Sequence, residues 1–332
     1  MLVVLRQLKK KWLMGIFVAT IVLVSVTPRV GVTPTVGNKD TYRFYVVSHG
    51  GPADPFWATV MRGVDDCARK YGVEAVYLGP AKFSIKEMVD MLESAIAAKP
   101  DGIAITISNP TPLDEPLRRA IKQGIPVIAI NVPDTRSEEE RIPYLCYVGA
   151  DLYLDGVEVA QRVLKEFTPK RVLIGISEPG NVALEMRAKG FRDVMKEKSV
   201  PVEKLDITVD PIKAIGAFES YFARHPETDA IFVASFLGTQ PALKFLEERG
   251  LVGKVKLASC DLSPMIVSAI KEGTMICTVD QQQYLQGYLP IEFLYFYNKY
   301  GFCPCKDVLT GPMIIDAGNI EIVEKTVEEG HR

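Results

Sequence analysis

Apolar runs in this sequence stop abruptly at hydrogen-bonding side chains. Ser48 and His49 follow YRFYVV, and Ser108 with Asn109 closes ITISNP. Asn131 follows VIAI, Glu178 ends IGIS, Ser235 stands in FVASF, Asp261 follows LASC, and Asp280 with Gln281 ends CTV. Most of these groups are amides, hydroxyls and carboxyls, and few cations stand among them. Such a set suits a neutral polyhydroxyl ligand, whose hydroxyls both donate and accept. Beside the first of these ends, SHGGPADPFW places Phe56 and Trp57, one of two tryptophans, at a strand-to-helix junction where polar residues are the rule. Asp54 is of N-cap type and Pro55 of first-turn type, so both rings fall in the first helical turn. Flat apolar faces there can stack on the C–H face of a sugar ring while Asn and Asp fix its hydroxyls. Apolar walls with a few placed polar groups are the usual composition of a small-molecule site.

The same residues have plainer uses. Capping alone accounts for Asp54. Phe56 and Trp57 also fit the apolar stripe of their helix. Asn109 and Asn131 are turn-forming types, and Asp261, ahead of Ser-Pro, can cap the next helix. The run QQQ leaves open whether Gln281 or a neighbour points inward.

Catalytic signatures are missing. No G-x-G-x-x-G follows a strand, since GISEPG lacks that spacing. There is no Walker loop and no G-x-S-x-G elbow. His49 is the only tempting base, and it has no orienting partner in the sequence. None of the three histidines pairs with Cys or His at zinc-ligand spacing. Cys67, Cys146, Cys260, Cys277, Cys303 and Cys305 are scattered, mostly in apolar runs. Their pairing cannot be read from spacing. No metal and no cofactor is expected.

The elements that must position these residues are short. The pattern predicts strands at 43–48, 74–78, 102–107, 126–130, 145–149, 171–176, 204–208, 229–234, 255–260 and 275–280. Amphipathic stretches between them predict helices at 56–70, 84–97, 112–123, 151–166, 182–197, 212–224, 237–249, 263–271 and 283–299. The strands are nearly continuous Val, Ile and Phe, as when helices cover both faces of a parallel sheet. Helices end at glycine before the next strand in KYGVEAVYL and KQGIPVIAI. The repeated βα unit implies an α/β, doubly wound architecture. Ten strands exceed one ordinary sheet, so two parallel-sheet lobes are expected, with a break near IPYLCYVGADLYLDG. In such sheets ligands bind beyond the carboxyl ends of the strands, where the polar residues above stand.

The first 39 residues read differently. Arg6, Lys9, Lys10 and Lys11 precede an uncharged apolar stretch at 12–26, then a Pro/Thr/Gly/Val linker. A basic region before a short apolar one predicts an export signal; an uncleaved membrane anchor is the alternative, although a span needs about 20 residues. These 39 residues hold six basic and no acidic side chains, leaving 33 Lys and Arg against 41 Asp and Glu, a net of −8. An acidic body argues against a nucleic-acid partner. Apolar content of 48% and charged content of 24% are those of a globular chain.

From about 43 to 325 the chain resembles a periplasmic sugar-binding protein of the ribose/galactose-binding type. The motifs that carry this are DPFW, PDGIAITISNPT, GIPVIAIN, VGADLYLDG, EMRAKGF, HPETDAIFVAS, LASCDLSPMIVSAIKEG and TVDQQQYLQGY, in this order. The resemblance implies a bilobed periplasmic binding protein of type I, its lobes joined by a three-crossover hinge and closing on a sugar or polyol. It implies lobes of 40–149 plus 282–310 and 150–281 plus 311–325. It implies an ABC transporter permease as partner, a monomeric receptor and an extracytoplasmic location. It places ligand contacts at Asp54, Phe56, Trp57, Asn109, Asn131, Ser235, Asp261 and Gln281. The chain departs from the family pattern at Asn131-Val132, where Asp-Arg is common. It departs again at Glu185, where an arginine is expected and only Arg187 is kept, and at Ser235-Phe236. The polar set therefore differs from a ribose site. A sensor or chemoreceptor partner of the same fold, a lactose-repressor-type core and a sugar-acting enzyme are the competing readings. The export signal and acidic body oppose the repressor core, and the missing catalytic motifs oppose the enzyme.

Overall fold

A computed structural model describes Lys39 and residues 41–332. The expected export signal therefore lies outside the described residues. Strands β1 (Arg43–Val47), β2 (Glu74–Leu78), β3 (Gly102–Ile105), β4 (Val127–Ile130) and β5 (Tyr147–Ala150) alternate with helices α1 (Pro55–Tyr71), α2 (Ile85–Ala97) and α3 (Pro110–Lys122). The pattern then repeats. Strands β6 (Val172–Ile176), β7 (Val202–Asp206), β8 (Ala230–Val233), β9 (Lys256–Ser259) and β10 (Met275–Asp280) alternate with α4 (Leu152–Glu166), α5 (Val182–Glu197), α6 (Pro211–Arg224), α7 (Phe236–Glu248) and α8 (Pro264–Lys271). The chain closes with α9 (Gln283–Tyr300), β11 (Val308–Gly311), β12 (Met313–Asp316) and α10 (Glu321–Glu328).

Two six-stranded sheets result, ordered β11-β5-β4-β3-β1-β2 and β12-β10-β9-β8-β6-β7. All neighbours pair in parallel except β12, which runs antiparallel to β10. Strands buried on both faces explain the continuous apolar runs. Val47, Ile103, Ile105 and Val127 pack under α2 and α3, while alternate residues Phe44, Val46, Ala104 and Ile128 pack under α1 and α9. The second sheet divides likewise: Leu173, Ile231 and Leu257 face one way, Val172, Ile174 and Phe232 the other.

The chain passes between the sheets three times: from β5 into α4, from β10 into α9, and directly from β11 into β12. Helix α9 returns to pack on α1, and α4 packs on α5. Both packings need glycine. A Cβ on Gly63 would lie 2.1 Å from Tyr284 O, and one on Gly190 would lie 2.1 Å from Tyr153 O.

The ten expected strands fall on β1 to β10, with two shifts. The fifth begins at Tyr147 rather than 145, and the seventh spans Val202–Asp206 rather than 204–208. The latter is an edge strand of mixed composition, VEKLD, with no continuous apolar run to mark its bounds. Strands β11 and β12 and helix α10 are additions. Gly311-Pro312 interrupts their shared apolar run, and proline confines such segments to sheet edges. Both strands are edge strands here.

Candidate functional site

The chain leaves β1 at Val47 and turns through Ser48-His49-Gly50 toward α1. Asp54 caps that helix: its Oδ1 accepts from Phe56 N–H at 3.0 Å, and Pro55 is the first helical residue. The cap holds Phe56 and Trp57 in the first turn, where their rings pack edge-on with centroids 5.0 Å apart. The His49 ring meets Trp57 edge-on at 4.9 Å. Gly50 permits this approach, because a Cβ there would lie 2.1 Å from Trp57 Nε1. Both aromatic side chains are buried, Phe56 at 6% and Trp57 at 3% exposure.

Two other strand ends carry strained backbone. Asn131 has φ 57° and Asp261 has φ 78°. Asn and Asp are the non-glycine types that tolerate this left-handed region. Backbone bonds fix both positions, Asn131 N–H to Val148 O at 3.0 Å and Asp261 N–H to Val279 O at 2.8 Å. Asn131 Nδ2 donates to Gln286 Oε1 at 3.0 Å. Asp261 does not cap α8, a role taken by Ser263. Its Oδ2 accepts from Phe236 N–H at 3.0 Å, at the start of α7, and its Oδ1 accepts from Gln281 Nε2. Gln281 Oε1 is buried with no hydrogen-bond partner among the described residues.

The second lobe brings a charged set. Asn181 caps α5 through Ala183 N–H at 3.0 Å and donates Nδ2 to Glu178 Oε2 at 2.7 Å. Arg187, on the same helix, gives Nε to Asp155 Oδ2 and Nη1 to Ala234 O, each at 2.9 Å. Ser235, at the N-cap of α7, makes no capping bond; its Oγ lies 2.6 Å from Ser177 Oγ. The lobes touch across the cleft, with Val182 N–H donating to Ser108 O at 3.0 Å and Asn181 Nδ2 lying 3.3 Å from His49 Nε2.

One cavity gathers these groups. His49, Asp54, Phe56, Trp57 and Asn131 line it from the first lobe; Glu178, Asn181, Arg187, Ser235 and Asp261 line it from the second, with Gln281. The space that no atom fills is about 380 Å³, open solvent at its mouth included. Seven of the eight residues named from the sequence stand on this lining. Asn109 stands apart from it: it caps α3, its Oδ1 accepting from Thr111 N–H at 3.3 Å. Asn181 escapes a search by strand ends, because it lies in a turn three residues past Glu178. Its signal is the N-cap pattern Asn-Val-Ala-Leu, parallel to Asp-Pro-Phe-Trp. Glu185, where the family pattern has arginine, is half-buried and pairs with Lys204 Nζ at 2.7 Å.

Burial sets the protonation of the cavity. Desolvation, aided by the Arg187 charge, pushes His49 down to about 3, so its ring is neutral. Assigned from its partners, Nδ1–H donates to Thr106 Oγ1 at 2.9 Å and Nε2 accepts from Asn181. A buried, neutral imidazole with both nitrogens engaged is a structural link rather than a base. Desolvation raises Glu178 to about 7, with the Asp54 charge adding to it and the Asn181 bond opposing it. Asp54 is likewise raised to about 7 by burial, with Asp261 adding. Asp261 is raised by burial against the pull of Arg187. Carboxyls desolvated in this way gain when hydroxyl donors reach them. Among the described residues, no group of three or more His, Cys, Asp or Glu side chains is placed to hold a metal ion.

Comparison with known proteins agrees with this geometry. A family model described as the periplasmic binding protein domain matches residues 44–299. This chain belongs to the periplasmic binding protein family. A periplasmic sugar binding protein of an ABC sugar transporter from Legionella pneumophila is 31% identical, with a TM-score of 0.77, and the match covers 82% of this chain and 100% of that one. A carbohydrate transporter from Acidothermus cellulolyticus, solved in complex with myo-inositol, is 26% identical with a TM-score of 0.80, over 88% of this chain and all of that one. The xylose/arabinose-binding protein XylF of Sulfolobus acidocaldarius is 29% identical over 300 residues, 87% of this chain and 72% of the relative. Periplasmic binding proteins of this kind are solute-binding components of ABC sugar importers, not catalysts, and an extracytoplasmic location is typical of them.

Proposed function

We propose that this periplasmic binding protein takes up one neutral sugar or cyclic polyol in the cleft between its lobes and delivers it to an ABC importer permease by closure. The observation that carries this is the two-sided cavity, walled by Phe56 and Trp57 on one lobe and rimmed by Glu178, Ser235 and Asp261 on the other. The rings stack on the C–H face of the ligand. Asp54, Asn131, Ser235, Asp261 and Gln281 bond its hydroxyls. Asn109 supports the site through its helix cap. Contacts to both lobes exist only when the lobes meet, so the ligand favours the closed population. Lobes of 40–149 plus 282–310 and 150–281 plus 311–325 rotate about Gly149-Ala150, Gln281-Gln282 and Thr310-Gly311, the three chain passages between the sheets. The basic-then-apolar N-terminus directs export.

A thermal-shift panel of pentoses, hexoses, inositols and acyclic polyols identifies the ligand, because a molecule that binds only the folded state raises its unfolding temperature. Small-angle scattering then gives a smaller radius of gyration with that ligand than without it. No shift with any polyhydroxyl compound, or chemical turnover of the one that binds, overturns the proposal.

A further inference from the structure

The segment between α9 and β11 runs beside the lead-in to β5. Tyr147 N–H donates to Asp307 Oδ1 at 2.9 Å, and Val308 pairs with Val148. These contacts bring Cys303 to Cys146, with the two Sγ atoms 3.8 Å apart. Cys146 is buried, Cys303 half-buried, and Cys305, beyond Pro304, exposed. Neither Cys146 nor Cys303 lines the ligand cavity. Two thiols in contact, 157 residues apart in sequence, are brought together by the pairing of the segments that carry them.

We infer that Cys146 and Cys303 form a reversible disulfide that fastens the segment leading to the third chain passage onto the first sheet. Extracytoplasmic compartments permit such bonds to persist, and that location is typical of the family. The oxidant is a disulfide, low-molecular-weight or protein-borne, written RSSR. Cys303 is the attacking thiol: it is the more accessible of the pair, and the hydrogen bond from Cys146 holds it below the usual thiol range. Its thiolate displaces one RS⁻ to give a mixed disulfide. Cys146 then loses its proton and attacks the Cys303 sulfur, displacing the second RS⁻. Two protein thiols are oxidised to one S–S bond, and RSSR is reduced to two RSH. Cys303 packs against the apolar cluster that contains Cys146, whereas Cys305 is exposed and stays a free thiol.

The test uses the full chain, purified under reductant and then exposed to oxidised glutathione. Thiols are blocked under denaturing conditions and the digest is mapped without reduction. The free-thiol count falls from six to four, and the peptides carrying Cys146 and Cys303 migrate as one species. The unfolding midpoint rises by about 5 °C or more and returns on reduction, as closing so long a loop requires. Cys305→Ser keeps the bridge and the rise; Cys303→Ser loses both, and its partly exposed site tolerates the change even where a substitution of buried Cys146 unfolds the chain. Six blocked thiols after oxidation, a bond only between Cys303 and Cys305, or a stable glutathione adduct on Cys303 overturns the inference.

Discussion

The two lobes are one architecture used twice with different chemistry at the mouth. Their sheets have matching orders, β2-β1-β3-β4-β5-β11 against β7-β6-β8-β9-β10-β12. Nine residues after the N-cap Asp54 comes Gly63, and nine after the N-cap Asn181 comes Gly190; each packs against a backbone carbonyl of the neighbouring helix. Asn131 and Asp261 occupy matching left-handed positions and donate to matching strands, β5 and β10. What differs is the side chain that meets the cavity. His49 stands where the second lobe has Glu178, Phe56 and Trp57 where it has Ala183 and Leu184, and Asn131 where it has Asp261. The first lobe thus offers plates, an amide and the Asp54 carboxyl, and the second offers carboxyls beside Arg187. The scaffold positions cannot vary without breaking backbone geometry. The cavity positions can, and divergence there places the Phe56–Trp57 pair on one lobe only.

The largest effect should come from breaking what the lobes share. Gly63→Val and Gly190→Val each drive a side chain into a facing carbonyl, and urea denaturation should show a loss of about 3 kcal/mol or more for either. A mild effect in one lobe only would mean that its helix pair is packed less tightly than its partner.

Next comes the matched pair of strand ends. Asp261 bonds both Phe236 N–H and Gln281, whereas Asn131 reaches Gln286 alone. Asp261→Ala should weaken binding of the ligand found in the thermal-shift panel about 100-fold, and Asn131→Ala about 10-fold, following the greater worth of bonds to charged groups. Calorimetric titration that finds equal affinities for both variants and wild type would remove these residues from the ligand set.

Trp57→Ala should cost about tenfold in affinity, since a stacked ring contributes about 1 kcal/mol beyond its burial. Leu184→Ala, at the matching position of the second lobe, should change affinity by less than about threefold on the same grounds. A large loss of unliganded stability in Trp57→Ala with unchanged affinity would assign the indole to the core alone.

The smallest effect concerns pH. Asp54 and Glu178, lining the cavity from opposite lobes, are both raised to about 7 by burial. A carboxyl raised above its unfolded value near 4 favours the fold while protonated, and that contribution is lost as pH climbs through the folded value. The unliganded melting temperature should therefore fall by a few degrees between pH 5 and pH 8. Asp54→Asn and Glu178→Gln should each flatten that slope, and an unchanged slope in both variants would place its source elsewhere.

The sequence by itself determined the repeated βα units, because strands buried on both faces must be apolar throughout and helices between them must carry one apolar stripe. It determined the cap at Asp54 and the polar strand ends, because those depend on residues within a few positions of one another. Tertiary structure decided the rest. Whether a strand-end residue meets the cavity depends on how far the chain turns beyond the strand, which left Asn109 capping a helix and brought Asn181 and Arg187 to the lining. The edge strands β11 and β12 exist only because two finished sheets offer unpaired edges to a short segment split by Gly311-Pro312. The Cys146–Cys303 contact is of the same kind: no spacing along the chain encodes it, since parallel pairing of β11 with β5 is what brings the two thiols together.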